Sequence, residues 1–203
     1  MTGGSFRMPI VEKYEENDTI ITGKIESGRV CVGNRCVVLP NEVHVEVANI
    51  HSGDNQVNWC SYGRNVRITL KNVQEKDISV GFILCDASQY CRVGRVSDAQ
   101  VELIEHKSSI RPGYSSELHI HTAVAVVRLE KVIALIDRTT GETIPGSPKF
   151  LRKNQIAIAR FKISQDKRII CMELFEEFPR LGRFALFDGE QIVVVGKVLQ
   201  ISQ

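Results

Sequence analysis

The sequence contains no long apolar run and no segment of signal-peptide type. None of its uninterrupted apolar stretches approaches the roughly 18 residues that a membrane-spanning helix needs. No apolar region follows the N-terminal Met1-Thr2-Gly3-Gly4, and the abrupt start in front of SFRMPIV suggests a piece of a longer protein. We therefore expect a cytoplasmic protein that does not contact membranes.

The sequence also lacks a strong charge of either sign. Its 203 residues include 26 Lys and Arg against 24 Asp and Glu, a formal net charge of +2, and no basic run is longer than two residues. This balance argues against a dedicated, charge-driven nucleic-acid binder, and we expect no sequence-specific nucleic-acid binding. It leaves open docking on a ribosome through a local basic patch that only folding assembles.

Cysteine pairs with the spacing of zinc knuckles or redox motifs are absent as well. The six cysteines are Cys31, Cys36, Cys60, Cys85, Cys91 and Cys171. No two of them are separated by only two residues, so neither the pair Cys31 and Cys36 nor the pair Cys85 and Cys91 indicates a metal or redox site. We expect free, mostly buried thiols in a reducing compartment.

Motifs of common catalytic sites are missing too. There is no G-x-S-x-G elbow, no G-x-x-x-x-G-K-[ST] loop and no G-x-G-x-x-G turn. Gly196-Lys197-Val198 lacks the upstream glycine and the hydroxyl of a phosphate-binding loop. Glu176 and Glu177 are adjacent, so they diverge in extended structure and indicate a solvated turn. We expect a chain without enzyme activity, cofactor or nucleotide site of its own.

One histidine pair could bear chemistry. His119-Ile120-His121 would place two imidazoles on the same side of a strand, a spacing that a metal site on a sheet can use. No third ligand stands out, so histidines on a barrel wall are the favoured interpretation and no metal site is predicted. A small metalloenzyme built on His119 and His121 remains the alternative from a different class.

What the sequence does contain is alternation of apolar and polar residues. VHVEVANI and NVRITLK are typical of half-buried strands, and about a dozen such segments are separated by residues that tolerate a positive φ. No amphipathic helix is evident. The least strand-like stretches lie around residues 85–98, near the midpoint, and 141–155. The pattern predicts an all-β chain with the strand spacing of a sandwich or a barrel, and each half has the size of a small closed barrel, which favours two closed antiparallel barrels in tandem.

The stretch LGRFALFDGE, residues 181–190, predicts a strand that runs into a tight turn at Asp188-Gly189. Phe184 and Leu186 should face the core, with Arg183, Ala185 and Phe187 on the other side. Arginine and large aromatic residues are enriched at the energetic centres of protein interfaces, so this outward face is a candidate contact surface.

Several long stretches resemble one known family. GKIESGRVCVG, AQVELIEHKSSIRPGYSSELHIHT, PKFLRKNQIAIARF and EEFPRLGRFALFDGEQIVVVGKVLQI are similar to the eukaryotic class II peptide chain release factor, the GTP-binding subunit of the termination complex. The resemblance extends over about residues 6–201 in order. It implies that a GTPase domain, with GTP and Mg, precedes the two barrels.

The resemblance implies a role for each half. Residues 1–94 would form domain 2, an elongation-factor-like barrel that packs on the GTPase domain of the same protein and faces the small ribosomal subunit. Residues 95–203 would form domain 3, which binds the C-terminal domain of the class I, stop-codon-decoding release factor. The implied function is translation termination, through positioning of that factor on the ribosome, by a fragment that is monomeric alone.

The implied binding motif lies in the strand described above. The family carries Gly-Arg-Phe-Thr-Leu-Arg-Asp, and this chain matches it at Gly182, Arg183, Phe184, Leu186 and Asp188. Ala185 replaces the threonine and Phe187 replaces the second arginine. We expect a partner contact with less dependence on ionic strength than a two-arginine surface would have; the structural alternative is that Phe187 merely covers a neighbouring apolar patch.

The nearest alternative function is that of the related ribosome-rescue GTPase, which shares both barrels and binds a structural cousin of the class I factor. KIESG, EHKS and HIHT are closer to the termination branch.

Overall fold

The computed structural model describes residues 3–106 and 108–203. Within these ranges nearly all regular structure is β-strand, and the chain divides into two compact units, Met1–Arg92 and Val93–Gln203. The predicted all-β fold of two closed antiparallel barrels is confirmed.

The first unit contains nine strands. They are β1 (Arg7–Glu15), β2 (Thr19–Lys24), β3 (Arg29–Cys31), β4 (Arg35–Leu39), β5 (Val43–Ser52), β6 (Asn55–Val57), β7 (Trp59–Ser61), β8 (Asn65–Lys71) and β9 (Ile83–Asp86). Six follow one another in the order β4-β9-β1-β2-β8-β5, and β5 pairs with β4 again, so this sheet closes into a barrel. β3 and β7 form a separate two-stranded sheet.

Alternation explains most of this first barrel. On β8, Val66, Ile68 and Leu70 are buried in the core while Arg67 and Lys71 are exposed, as the sequence predicts. β1 was not predicted, because its first four residues are all buried and include Pro9, a residue unusual inside strands. The proline fits because pairing of β1 with β2 begins only at the next residue, Ile10.

The second unit contains another nine strands. They are β10 (Val93–Gly94), β11 (Val96–Leu103), β12 (Ser115–Ile120), β13 (Ala123–Ile136), β14 (Thr143–Ile144), β15 (Ile156–Ile163), β16 (Ile170–Cys171), β17 (Arg183–Asp188) and β18 (Gln191–Ser202). The order β12-β17-β18-β11-β15-β13 is closed by pairing of β13 with β12. In its core, the rings of Phe161 and Phe184 meet edge to face at 6.2 Å between centroids.

Helical structure in the described ranges is confined to two short pieces. A 3-10 turn spans Glu75–Asp77, and a four-residue helix, α1, spans Pro179–Gly182. In the part of the chain that the structure describes, no helix is long and apolar enough to cross a membrane.

Candidate functional site: the outward face of β17

The side chains of β17 divide between core and surface as predicted. Phe184 and Leu186 are buried, with Leu186 0% exposed, whereas Arg183 is exposed and Ala185 and Phe187 are half-buried. Successive strand residues point to opposite sides of a sheet, so one short strand supplies both core and surface. Among residues 182–188, for which partner binding is predicted, Arg183, Ala185, Phe187 and Asp188 are accessible at the surface, and the partner contact itself stays a prediction.

The strand begins later than predicted. Leu181 and Gly182 belong to α1, whose first residue, Pro179, suits a helix N-terminus. Gly182 is buried, and a Cβ there would lie 2.5 Å from both the Glu173 carbonyl oxygen and the Phe175 nitrogen. The glycine of the motif is therefore a packing requirement, because the helical turn approaches the backbone of residues 173–175 too closely for any side chain.

The turn after β17 is shifted by one residue from the prediction. Asp188 is exposed but still pairs with Gln191, so the two loop residues are Gly189 and Glu190 rather than Asp188 and Gly189. Gly189 has a φ of 61°, which supplies the left-handed conformation that such a hairpin needs. Asp188 closes the ladder and does not serve as a loop residue.

On one side of β17, strand β12 adds an acid and an imidazole to the surface. Glu117 lies opposite Phe187 in the antiparallel register, and His119 lies opposite Ala185. The imidazole of His119 contacts the Phe187 ring at 4.5 Å between centroids, and its Nε2 lies 2.5 Å from Glu117 Oε1. Phe187 therefore has a defined packing partner, and sequence reasoning did not place Glu117 or His119 at this site.

On the other side, strand β18 adds apolar residues and a cation. Ile192 lies opposite Phe187, Val195 opposite Ala185, and Lys197 opposite Arg183. Ile192 is 42% exposed and Val195 39%, comparable to other exposed apolar side chains of the same barrel such as Val124 and Leu199. The ammonium of Lys197 lies 4.7 Å from the centroid of the Phe175 ring, within cation–π range.

A bulge in β18 creates this apolar strip. The register passes from Leu186 opposite Val194 to Phe187 opposite Ile192, so Val193 is the extra residue. Val193 and Val194 are consecutive and both buried, so the alternation of buried and exposed side chains is shifted by one residue after them. Ile192 and Val195 consequently share the outer surface, and local alternation alone could not reveal it.

We call this surface the β17 face, defined by Arg183, Ala185 and Phe187 of β17 with Glu117, His119, Ile192, Val195 and Lys197 on the flanking strands. A groove of about 620 Å³ extends from it. Its lining residues include Gln100, Glu102, His119, Phe175, Arg183, Ala185, Val195 and Lys197. Glu102 is already paired with Arg138, whereas Arg183 and Lys197 form no ion pair with the described residues, so the uncompensated charge of the groove is positive.

The histidine pair does not form the site that its spacing suggested. His119 lies in β12, but His121 follows the strand with a φ of 42° and turns inward, where its Nε2 donates to the Cys171 carbonyl at 2.8 Å. Its Nδ1 accepts the Thr122 backbone N–H, also at 2.8 Å. The prediction that both imidazoles share one side is wrong, because the chain leaves the strand after Ile120. The described residues hold no group of three or more potential metal ligands.

Burial and the bond accepted from the Thr122 N–H favour the neutral form of His121. Protonation of Nδ1 would break the bond from the Thr122 N–H, since that nitrogen would become a donor. Burial lowers the pKa of His121 to about 4, and the Cys171 carbonyl acts in the opposite direction. The residue is a structural connection between the end of β12 and β16.

The cysteines and the glutamate pair match their predicted environments. All six thiols are free, and five are buried while Cys31 is half-buried. Burial raises the pKa of Cys36 to about 12, with the charge of Asp86 opposite it adding to the rise. Glu176 and Glu177 are exposed in the turn before α1.

Comparisons with known proteins agree with the fold and with the sequence resemblance. The family described as GTP-eEF1A C-terminal domain-like matches residues 96–199. The eukaryotic peptide chain release factor GTP-binding subunit of Zygosaccharomyces rouxii is 34% identical over 98% of this chain and 30% of its own length. The same subunit of Kluyveromyces lactis is 30% identical over 98% of this chain and 28% of its own.

A solved structure is similar to this chain along its whole length. The crystal structure of sup35 complexed with GDP superposes with a TM-score of 0.91 at 31% identity, covering all of this chain and 48% of that one. The chain spans about 30% of the length of the curated relatives it matches. It belongs to the GTP-eEF1A C-terminal domain-like family, and it is similar along almost its whole length to the GTP-binding subunits of eukaryotic peptide chain release factors.

Proposed function

We propose that this chain binds the C-terminal domain of a class I release factor through the β17 face and helps to position that factor on the ribosome. The observation that carries the proposal is the composition of the face: Phe187, Ile192 and Val195 expose apolar surface, and two cations, Arg183 and Lys197, lie opposite each other at one end of it. Apolar anchors bordered by charge are typical of protein interfaces.

The motif residues then have two separate roles. Arg183 and Phe187, with Ala185 between them, would contact the partner directly. Phe184, Leu186 and Gly182 are buried, so they would act by fixing the strand and the helical turn before it. Asp188, which pairs with Gln191, would hold the hairpin end.

The remaining assignments follow from the family resemblance. Residues 95–203, which contain the region matched by the family, would be domain 3, and residues 1–94 would be domain 2, in contact with the GTPase domain of the same protein and the small ribosomal subunit. GTP, Mg and any catalysis would belong to that GTPase domain. The two barrels would act as a non-enzymatic, monomeric binding module, and termination implies a cytoplasmic location.

Calorimetric titration of the 203-residue chain with the C-terminal domain of a cognate class I release factor tests the proposal. We expect Arg183→Ala and Phe187→Ala each to weaken binding by about 2 kcal/mol, roughly 30-fold in Kd. Arg128→Ala is the matched control, because Arg128 is an exposed cation on β13 of the same barrel. Its affinity should equal that of the wild type.

Two outcomes would contradict the proposal. Equal loss of affinity in Arg183→Ala and Arg128→Ala would mean that binding depends on overall charge and not on the β17 face. Tight binding to the structural cousin of the class I factor that acts in ribosome rescue, without binding to the class I factor itself, would assign the chain to the rescue branch.

A further inference from the structure

A backbone bridge in the second barrel unites two loops. Ile110 and Leu151 donate their N–H groups to each other's carbonyl oxygens, both at 2.9 Å, and both side chains are buried. The bridge joins the β11–β12 connection to the long loop between β14 and β15. The next residues, Arg111 on one loop and Arg152 on the other, consequently lie close together at the surface.

Both arginines lie over one aromatic ring. The guanidinium carbon of Arg111 is 5.5 Å from the centroid of Phe150, and that of Arg152 is 4.9 Å away. The ring is half-buried and both arginines are exposed. The contact with the ring restricts the orientation of each guanidinium group. Because cation–π attraction uses the face of the guanidinium, its N–H edges stay available to bind another group.

The positive charge of the cluster formed by Arg111, Phe150 and Arg152 is not neutralised. Lys153, which follows Arg152 in the chain, is paired with Glu105 at 2.6 Å. The side chains of Arg111, Lys149 and Arg152 form no hydrogen bond or ion pair with any residue in 3–106 or 108–203. Two guanidinium groups thus converge on one ring, next to Lys149 in sequence, and their like charges repel one another, an arrangement that a bound anion would stabilise.

We propose that Arg111, Phe150 and Arg152, together with Lys149, form a binding site for the phosphate backbone of single-stranded RNA. Guanidinium edges bind phosphate oxygens in a bidentate manner, and a guanidinium stacked on a ring offers its outer face to a nucleobase. A phosphorylated peptide would use only the donor edges, so RNA accounts for more of the cluster. Recognition of backbone and base face implies little sequence preference.

This site goes beyond the proposed partner contact. None of its four residues belongs to the β17 face, so the two surfaces can be tested by separate variants. It also shows how a chain of net charge +2 can present a local basic surface: the cluster draws on two loops that lie far apart in sequence.

Fluorescence anisotropy of the 203-residue chain with a labelled, unstructured RNA of about 12 nucleotides tests the site. We expect Arg111→Gln/Arg152→Gln to weaken binding on the order of tenfold at about 0.1 M salt, since two phosphate contacts are lost. The slope of log K against log salt should fall in magnitude by about 1.4, as roughly 0.7 is expected for each phosphate on a single strand.

The matched control is Arg128→Gln/Lys131→Gln, which removes two exposed cations from β13 and changes the net charge equally. It should bind RNA like the wild type. Phe150→Leu keeps every charge but removes the ring, and binding should fall about threefold if stacking on the ring orients the guanidinium groups. Thermal unfolding of each variant verifies that the barrel is intact.

The proposal is overturned by equal weakening in the two double variants, which would reveal only a dependence on net charge. It is equally overturned if the wild-type chain does not bind the RNA at about 0.05 M salt, where backbone contacts are strongest. Tighter binding of a phosphoserine peptide than of RNA at the same cluster would also reject it, in favour of a phosphopeptide site.

Discussion

The rings of His119 and Phe187 pack against each other with their planes inclined at 47°, although they come from strands distant in sequence. The contact is diagonal across the β12–β17 ladder, where Glu117 lies directly opposite Phe187. An arginine at position 187, as in the family motif, would face that carboxylate. The phenylalanine of this chain instead packs on the imidazole, so position 187 makes an aromatic contact.

Phe187→Arg should restore ionic character to the proposed partner contact. We expect affinity for the class I factor to decrease more steeply between about 0.05 and 0.3 M salt than it does for the wild type, because a further cation is added to the face that contains Arg183 and Lys197. Calorimetric titration at the two salt concentrations measures this. Phe187→Leu, which adds no charge, should keep the shallow dependence of the wild type; identical slopes for all three proteins would disprove the expectation.

Leu186→Ala should destabilise the fold much more than Phe187→Ala. Leu186 is fully buried, so the substitution removes core contacts and should lower the free energy of unfolding by about 3 kcal/mol. Phe187 is half-buried on the surface, and its loss should cost less than about 1.5 kcal/mol. Urea denaturation compares the two. Equal losses would mean that Phe187 is a core residue and that the β17 face is misassigned.

Gly182→Ala should be destabilising even though the backbone there has no positive φ. The added Cβ would lie 2.5 Å from two backbone atoms, and backbone cannot rotate away as a flexible side chain can. We expect a loss of at least about 2 kcal/mol in unfolding free energy. The control is Gly3→Ala, where a Cβ would meet nothing within 4 Å. A neutral Gly182→Ala variant would show that α1 can move away from residues 173–175.

His121 should make stability depend on pH below neutrality. Its pKa is about 4 in the folded chain and about 6.5 when unfolded, so between these values only the unfolded chain binds the proton. The free energy of unfolding should have its full value above pH 6.5 and should fall by about 3 kcal/mol towards pH 4. In His121→Gln, which retains a donor for the Cys171 carbonyl, this decrease should disappear from urea titrations made across the range. A decrease of unchanged size would assign it to other groups.

Cys31 should be the one thiol that reacts rapidly in the folded chain. It is half-buried, whereas the other five cysteines are buried, and the raised pKa of Cys36 keeps that thiol protonated. Labelling with a chromogenic disulfide at about pH 8 should show a single fast phase of one equivalent. Cys31→Ser should abolish it, whereas Cys60→Ser should not. A fast phase that survives in Cys31→Ser would indicate local opening elsewhere.

The sequence predicted elements whose pattern is local. Alternation identified strands such as β5, β8 and β17, together with the two faces of β17, because the period of two is a property of a single strand. The same pattern failed where burial was continuous, as at the start of β1. Applied to RIICMELF, residues 168–175, the same pattern predicts one continuous strand, but only Ile170–Cys171 forms a strand before the chain turns towards α1.

Residues brought together by pairing between distant strands could not be predicted. Glu117 and His119 join the site because β12 lies next to β17, a register that neither strand encodes by itself. Arg111 and Arg152 meet through a bridge between loops. Such contacts depend on how the barrel closes, and closure is decided by the whole core.

The bulge at Val193 constrains how this strand can change over evolutionary time. Loss of that single residue would reverse the orientation of every side chain on one side of it, exchanging core valines for the surface strip. Substitutions on the exposed side of β18 therefore leave the fold intact, but insertions and deletions must preserve whether the residue count is odd or even. Lineages that diverge in the identity of Ile192 and Val195 should still agree in the length of the hairpin that carries them.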